Sequence, residues 1–519
     1  MSQDEESTTA TVRDAPTTTM GILRNVGPGM ILAGSIVGSG ELIATTRTGA
    51  EAHFDFLWLI IIGCIIKVFA QIELGRYAIT NGKTTLAALN EVPGPRLSLP
   101  VGKRRATVNW ILLYWFLMFL AILGQQGGIV GGVGQAMAIS VPLTEEGKAY
   151  NEQVAQKIVR DVKKAESANA SSEEKHALKA EIAQLEAELE TQGSIPKAND
   201  DVYWSLILTL AAIFLLVWGK FSFIQRFSVF LVAAFTLITI ANLFALQSYD
   251  KWSVTAEELR RGLSFGFPAA EEGSRNPLIT ALATFGIIGV GAAELLAYPY
   301  WCLEKGYGKY VGKRDDSDAW AHRAKGWMKV MHWDAWGAMV VYTFCTIAFY
   351  LLGAAVLGRS NLLPEGSEMI QTLSAMYQPV FGSFTQNLFL FGAFAVLFST
   401  FYVAIAAQGR LAVDVAKVSG IAKLDETGRQ QGLRWMGVVL PTLSVLCYVF
   451  FPKPVVLVLI AGTMQAIMLP LIGFAVLYFR YKKSDERLQP NKIWDFFLWL
   501  SFVGFLIVGI YQTYAKLFQ

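Results

Sequence analysis

GSIVGSGELIATTRTGA, residues 34–50, decides how this chain is read. Its flanks are apolar enough for a membrane helix, yet its middle is Gly38-Ser39-Gly40, followed at once by the carboxylate Glu41 and later by Arg47. Glycine weakens a helix by about 1 kcal/mol relative to alanine, and serine competes for local hydrogen bonds. The flanking pieces, 28–37 and 41–50, are each ~15 Å of helix, half a bilayer. The pattern predicts a helix broken at mid-membrane depth. Such a break persists only where neighbouring helices or a water-lined cavity satisfy the freed backbone groups. Freed carbonyls then suit cations, and amides at the start of the second half suit anions. A packing notch that admits a neighbouring helix is the other use of such glycines.

The rest of the chain supports a membrane setting. Its 519 residues are 53% hydrophobic and only 16% charged, and the apolar residues fall in blocks long enough to span a hydrocarbon core of ~30 Å. Eleven spans are predicted: 22–50, 54–79, 108–140, 203–219, 226–247, 277–303, 335–357, 383–409, 435–451, 454–479 and 492–513. Their connections alternate in charge. Lys83 to Arg105, Lys220 with Arg226, Lys305 to Lys329, Arg410 to Arg434 and Arg480 to Lys492 are basic; the other set is sparse. The positive-inside rule places the basic set, and the N-terminus, in the cytoplasm and the C-terminus outside a plasma (inner) membrane.

Residues 1–20 are rich in Ser, Thr, Asp and Glu and read as a disordered cytoplasmic tail. Residues 141–200 interrupt the pattern with charged, helix-prone sequence. Val154, Ile158 and Val162, then Leu178, Ile182, Leu185 and Leu189, give one apolar stripe per helix, with SANASS (167–172) as the turn. This predicts an extracytoplasmic helical hairpin, either a self-packed insertion or a partner-binding arm. The four cysteines, Cys64, Cys302, Cys345 and Cys447, lack CxxC spacing and read as packing residues. A net charge of +3 leaves no nucleic-acid footprint. No GxxxxGK[ST] loop points to a primary pump, and no soluble catalytic constellation points to an enzyme.

The sixth span repeats the features of the first. It contains GVGAAELLAYPY (289–300), interrupted by glycine and proline and carrying Glu294. Interrupted spans at matching positions of two halves mark a transporter site built on an inverted repeat. A charged side chain at a helix centre costs about 2.5–3.5 kcal/mol on insertion scales, so Glu41 and Glu294 are the principal candidates for contact with substrate or coupling ion. A structural pairing of Glu41 with Arg47 or a backbone donor is the alternative. The candidate substrate site comprises Gly38, Ser39, Gly40, Glu41, Ala292, Ala293, Glu294, Tyr298 and Gln465, with Glu41 and Glu294 as candidate metal ligands. Lys67, Gln125, Gln126, Gln135, Gln408 and Asp414 are weaker signals, and Glu73 with Arg76 reads as a structural pair or gate. All four histidines lie in loops or at span edges, so no central histidine relay is expected.

The chain resembles the NRAMP family of metal-ion transporters over most of residues 25–480. GPGM (27–30) through TGA (48–50) is similar to the family's first helix, FGIIG (285–289) to the approach to its sixth, STFYVAIAAQGRLAVDV (399–415) to its eighth and Leu469-Pro470 to its tenth. The resemblance implies an all-α, leucine-transporter-type fold: two inverted five-helix repeats, 22–247 and 277–480, plus an eleventh helix, 492–513. It also implies secondary transport of a divalent metal by alternating access, without a cofactor beyond a coupling proton or ion. Its metal motifs do not carry over. The family's DPGN falls on Gly38, Ser39, Gly40 and Glu41, its Met-Pro-His falls on Ala293, Glu294 and Leu295, and its tenth-helix Gln falls on Gly462, one turn from Gln465. Losing a thioether and gaining carboxylates shifts the expected cargo to a hard, partly hydrated cation such as Mg²⁺ or Mn²⁺. IVGSGE also resembles the first-helix Gly-Ser/Thr-Gly segment of amino-acid/polyamine transporters, which implies a small organic solute instead. A sensor that kept the fold is a third reading. The expected partners are membrane lipid and a small cation or small-molecule substrate.

Overall fold

The computed structural model describes residues 12–101, 104–168, 170–219, 221–268, 276–315, 317–381 and 385–518. The chain is mostly helical. In order come α1 (Pro28–Ala52), α2 (Leu57–Asn81), the strands β1 (Arg96–Val101) and β2 (Arg104–Asn109), and α3 (Trp110–Ser140). Next are α4 (Glu145–Ala168), α5 (Ser172–Gln192), α6 (Asp200–Trp218) and α7 (Phe221–Leu246). The second part holds α8 (Pro277–Ile287), α9 (Ala292–Glu304), α10 (Asp318–Leu352), α11 (Thr385–Val418), α12 (Glu426–Phe450), α13 (Pro454–Lys482) and α14 (Lys492–Phe518). Among the described residues ten helical segments are long and apolar enough to cross a membrane, α8 and α9 together making one. The described apolar part of α7, Phe230–Leu246, is shorter. This is a multi-pass membrane protein.

Local chemistry sets several boundaries. Asn109 and Asn276 accept hydrogen bonds from Ile111 N and Leu278 N, capping α3 and α8, and α8 has proline in its first turn. Because Asn109 is the cap, α3 starts at Trp110 rather than at the expected 108. Within the expected basic loop, residues 96–101 and 104–109 pair instead as antiparallel strands with Leu97 opposite Val108. α10 begins at Asp318 and α12 at Glu426, well before the apolar runs expected at 335 and 435, since their charged first turns lie outside any hydropathy signal.

α1 is central, packed against α8, α9, α10 and α11. By contrast α6, α12 and α14 keep large apolar side chains on the outside, including Trp218, Phe450 and Leu517. An outward apolar face of this kind is suited to hydrocarbon and not to water. The cysteines Cys64, Cys302 and Cys345 are buried, Cys447 is half-buried, and all are free thiols.

The helices α4 and α5 pack against each other, burying Val154, Ile158 and Val162, and α4 docks on the chain near residue 370. Gln371 donates to Asn151 O (2.7 Å), and Tyr150 bonds Ser367 (3.0 Å). These contacts favour the self-packed insertion. Asn169, in the expected turn, residues 1–11 of the expected tail and 383–384 of the expected eighth span lie outside the described residues. The rest of the tail is not disordered. The guanidinium of Arg13 lies 3.8 Å over the Tyr310 ring, Arg13 N donates to Tyr310 O (3.1 Å) and Trp327 donates to Arg13 O (2.9 Å). A helix follows at Thr19–Asn25, its first turn accepted by the Thr18 side chain.

Candidate functional site

The sixth span is broken, as expected, and the break is short. α8 ends at Ile287, Ile288 turns extended, Gly289 takes φ +57° and α9 starts after Gly291. The first span is not broken. Residues Val37–Thr45 widen into a π-helix, and the helix runs on to Ala52. The expected two half-helices are therefore corrected to one helix with a bulge. Local hydroxyls make the wider turn tolerable: Thr45 Oγ1 donates to Gly40 O (2.9 Å) and Thr46 Oγ1 to Glu41 O (3.3 Å). Gly38 N donates to Thr400 Oγ1 of α11 (3.1 Å). A β-carbon at Gly40 would stand 3.2 Å from Ile287 O, so glycine there lets the bulge touch the break.

Glu41 and Lys67 both reach this break. Glu41 is fully buried; its Oε1 accepts from Thr346 Oγ1 (2.9 Å) and Gly289 N (3.3 Å). Its Oε2 has no partner among the described residues. Lys67 of α2 is also fully buried and donates to Phe285 O and to Ile288 O, the latter at 2.8 Å. Sequence reasoning ranked Lys67 low because its partners lie more than two hundred residues away. It missed Thr346, since a lone threonine in an apolar helix carries no pattern of its own, and it met Thr400 only as part of the 399–415 resemblance, without a role at the site.

Beyond the break, a relay joins four spans. Ala293 N donates to Gln465 Oε1 (3.0 Å), Gln465 Nε2 to Gln125 Oε1 (2.9 Å) and Gln125 Nε2 to Ser39 Oγ (3.0 Å). Beside it lies a small cavity of about 10 Å³ lined by Glu294, which is half-buried, and by Gln126, Gln408, Ser35, Gln125 and Ala293 among others. That is room for about one water-sized particle. Gln126 Oε1 and Gln408 Oε1 are buried and unpartnered among the described residues. The candidates Gly38, Ser39, Gly40, Glu41, Ala292, Ala293, Glu294 and Gln465 are thus gathered around the bulge, the break and this cavity.

Tyr298 lies apart from them, donating to Asp334 Oδ2 (3.0 Å). Asp334 also accepts from Gly27 N (2.7 Å) and Gly29 N (2.6 Å), fastening the start of α1. Arg47 does not pair with Glu41; it bridges Glu51 (2.5 Å) and Glu365 (2.7 Å) and donates to Pro364 O (2.9 Å). Outside this closure is a cleft of about 370 Å³ lined by Arg47, Glu365, Glu368 and Lys453. At the opposite end Asp414 accepts from Thr84 (2.7 Å) and Tyr300 (2.6 Å), and Glu304 receives Arg410 and Arg429. Ion pairs and hydrogen bonds thus tie neighbouring elements together at both places. Glu73 and Arg76 form an ion pair at 3.1 Å, with Arg76 also on Leu488 O (2.7 Å). Gln135 sits away from the site, donating to Gly366 O (2.9 Å). Among the described residues no three His, Cys, Asp or Glu side chains cluster as a metal site.

No protein-family model matches the sequence, and no curated protein is similar to it. Solved structures are. A mutant of the manganese transporter of Eremococcus coleocola is similar with a TM-score of 0.60 at 13% identity, over 98% of this chain and 91% of that one. MhsT in complex with L-phenylalanine is similar with a TM-score of 0.53 at 16% identity, over 96% and 99%. The fold is theirs. It is the leucine-transporter-type, NRAMP-like fold expected from the sequence, and at these identities the likeness speaks for the fold alone.

Proposed function

We propose that this chain is an NRAMP-like secondary transporter that moves a divalent metal cation, a hard one such as Mg²⁺ or Mn²⁺, by alternating access. The observation that carries this reading is the oxygen lining of the site. Glu294, Gln126 and Gln408 line one cavity, and Gln126 Oε1, Gln408 Oε1 and, beside the break, Glu41 Oε2 are buried and unpartnered among the described residues. Buried acceptors in such number call for a cation or an ordered water. With two carboxylates and amide oxygens, the donor set suits a hard cation. The manganese named for the similar transporter makes Mn²⁺ the first probe.

In this reading all eleven helices cross the plasma (inner) membrane, with the N-terminus cytoplasmic and the C-terminus outside. Residues 22–247 and 277–480 are the two inverted repeats, 492–513 is the added helix, and the 141–200 insertion lies outside the membrane. The substrate site is formed by Gly38, Ser39, Gly40, Glu41, Ala292, Ala293, Glu294 and Gln465. Tyr298 belongs instead to the closure at Asp334. No cofactor is needed beyond a coupling proton or ion.

The test is uptake into liposomes of Mn²⁺, Mg²⁺ and a pooled amino-acid mixture, with Glu41→Gln and Glu294→Gln alongside. We expect metal uptake by the parent protein and at least a tenfold loss in each variant. Amino-acid uptake without metal flux would overturn the reading in favour of an organic-solute transporter, and no flux at all would favour a sensor.

A further inference from the structure

In an unbroken helix Phe285 O would accept from Gly289 N, four residues on. Here the two are parted. Gly289 N goes to the carboxylate of Glu41, and Phe285 O goes to the ammonium of Lys67, which also takes Ile288 O at 2.8 Å. The ammonium lies 4.6 Å from the centre of the Phe285 ring, and none of the lysine is exposed. One backbone hydrogen bond has been replaced by an acidic side chain at its donor and a basic one at its acceptor.

Two carbonyls at the C-terminal end of a half-helix, beside an aromatic face and buried carboxylates, make a setting in which a small free cation is stable. Lys67 reaches that setting on a four-carbon stem from α2 and presents a compact point charge. We propose that Lys67 is a tethered cation that holds the sixth-helix break open in the place a free coupling cation would take, making the folded site independent of Na⁺ or K⁺. This builds on the transport reading of the same site, but its first test needs no transport.

Lys67→Ala removes the stem and the charge, and Lys67→Met keeps the stem and removes only the charge. Both are expected to melt several degrees below the parent in detergent. n-Propylammonium, which replaces what the alanine variant lacks, is expected to restore roughly half of that loss or more by binding the folded state. Tetramethylammonium at equal ionic strength restores none, and neither salt moves the parent. If Lys67→Ala does not accumulate, it is expressed and purified in n-propylammonium, and recovery of folded protein counts in favour. A Lys67→Met variant as stable as the parent would overturn the proposal, as would failure of Na⁺, K⁺ and n-propylammonium alike to stabilise or recover Lys67→Ala.

The second test is Mn²⁺ uptake with Na⁺ exchanged for choline. The parent should be indifferent to the exchange, while Lys67→Ala, which leaves the ammonium's place empty, should work at least fivefold faster with Na⁺. Uptake by Lys67→Met that equals the parent's in choline sinks the proposal. A parent that carries no Mn²⁺ sinks the metal-transport reading instead, and the melting experiment still decides the role of Lys67.

Discussion

Gln465 uses both ends of its amide: the oxygen on Ala293 N and the nitrogen on Gln125. Each partner is buried, so removing the amide leaves groups with no water to turn to. Gln465→Leu is expected to cost about 1–3 kcal/mol, the range for a stranded buried polar group. Gln125→Leu strands Ser39 and Gln465 in turn and should cost a similar amount. Because the two residues share one bond, their double variant should lose less than the sum, with a coupling of about 0.5–3 kcal/mol. Melting of the four proteins in one detergent measures this; strict additivity would show that the relay is not a unit. The two carboxylates differ in kind. Glu41 is bound to the framework through Thr346 and Gly289, whereas Glu294 lines the small cavity. Glu41→Gln should therefore lower both stability and uptake, and Glu294→Gln mainly uptake. Equal melting shifts for the two would contradict that division.

The two interrupted spans teach opposite lessons at the level of the element. Gly289 has φ +57°, a conformation that costs a side chain roughly 1–2 kcal/mol. A β-carbon there would also stand 3.0 Å from the Tyr342 ring and 3.1 Å from Cys64 Cα. Gly289→Ala should thus be destabilised by about 2–4 kcal/mol when strain and crowding combine. A melting point within a degree of the parent would show that the break can be rebuilt without glycine. This break was legible in the sequence, because two glycines flank one residue just ahead of an acid. The same logic failed at Gly38–Gly40. There the weakness of glycine was absorbed by a π-bulge, stabilised by the hydroxyls of Thr45 and Thr46 five residues on and by Thr400 from a helix far along the chain. A local pattern signals that regular helix is weak; what replaces it depends on donors the pattern does not contain. Lys67 lay beyond reading for the same reason, as did the paired strands 96–101 and 104–109, which carry too few apolar residues and a proline.

Across the whole molecule, closure at the Asp334 end depends on three donors meeting one carboxylate. Gly27 N and Gly29 N come from the start of α1, and Tyr298 comes from α9, so this single side chain of α10 ties together the elements that flank the site. Alternating access requires such a tie to be broken in one state and made in the other. Hydrogen bonds to a charged acceptor contribute about 1.5–3 kcal/mol each. An asparagine can keep one amide bond, but its own amide group would oppose a second donor. Asp334→Asn should therefore shift the balance toward opening by about 1.5–3 kcal/mol, or roughly tenfold to a hundredfold in population. Cys302 reports this directly. It is fully buried one turn beyond Tyr298, with its thiol against that hydroxyl. Maleimide labelling of Cys302, followed by mass spectrometry, should speed up at least tenfold in Asp334→Asn. Cys345, buried against Thr236 of α7, should label at the parent's rate and so serves as the internal reference. Faster labelling of both cysteines would mean general loosening. Faster labelling of neither would mean that Asp334 is a passive anchor and that the closure is held elsewhere, at Asp414 or Glu304.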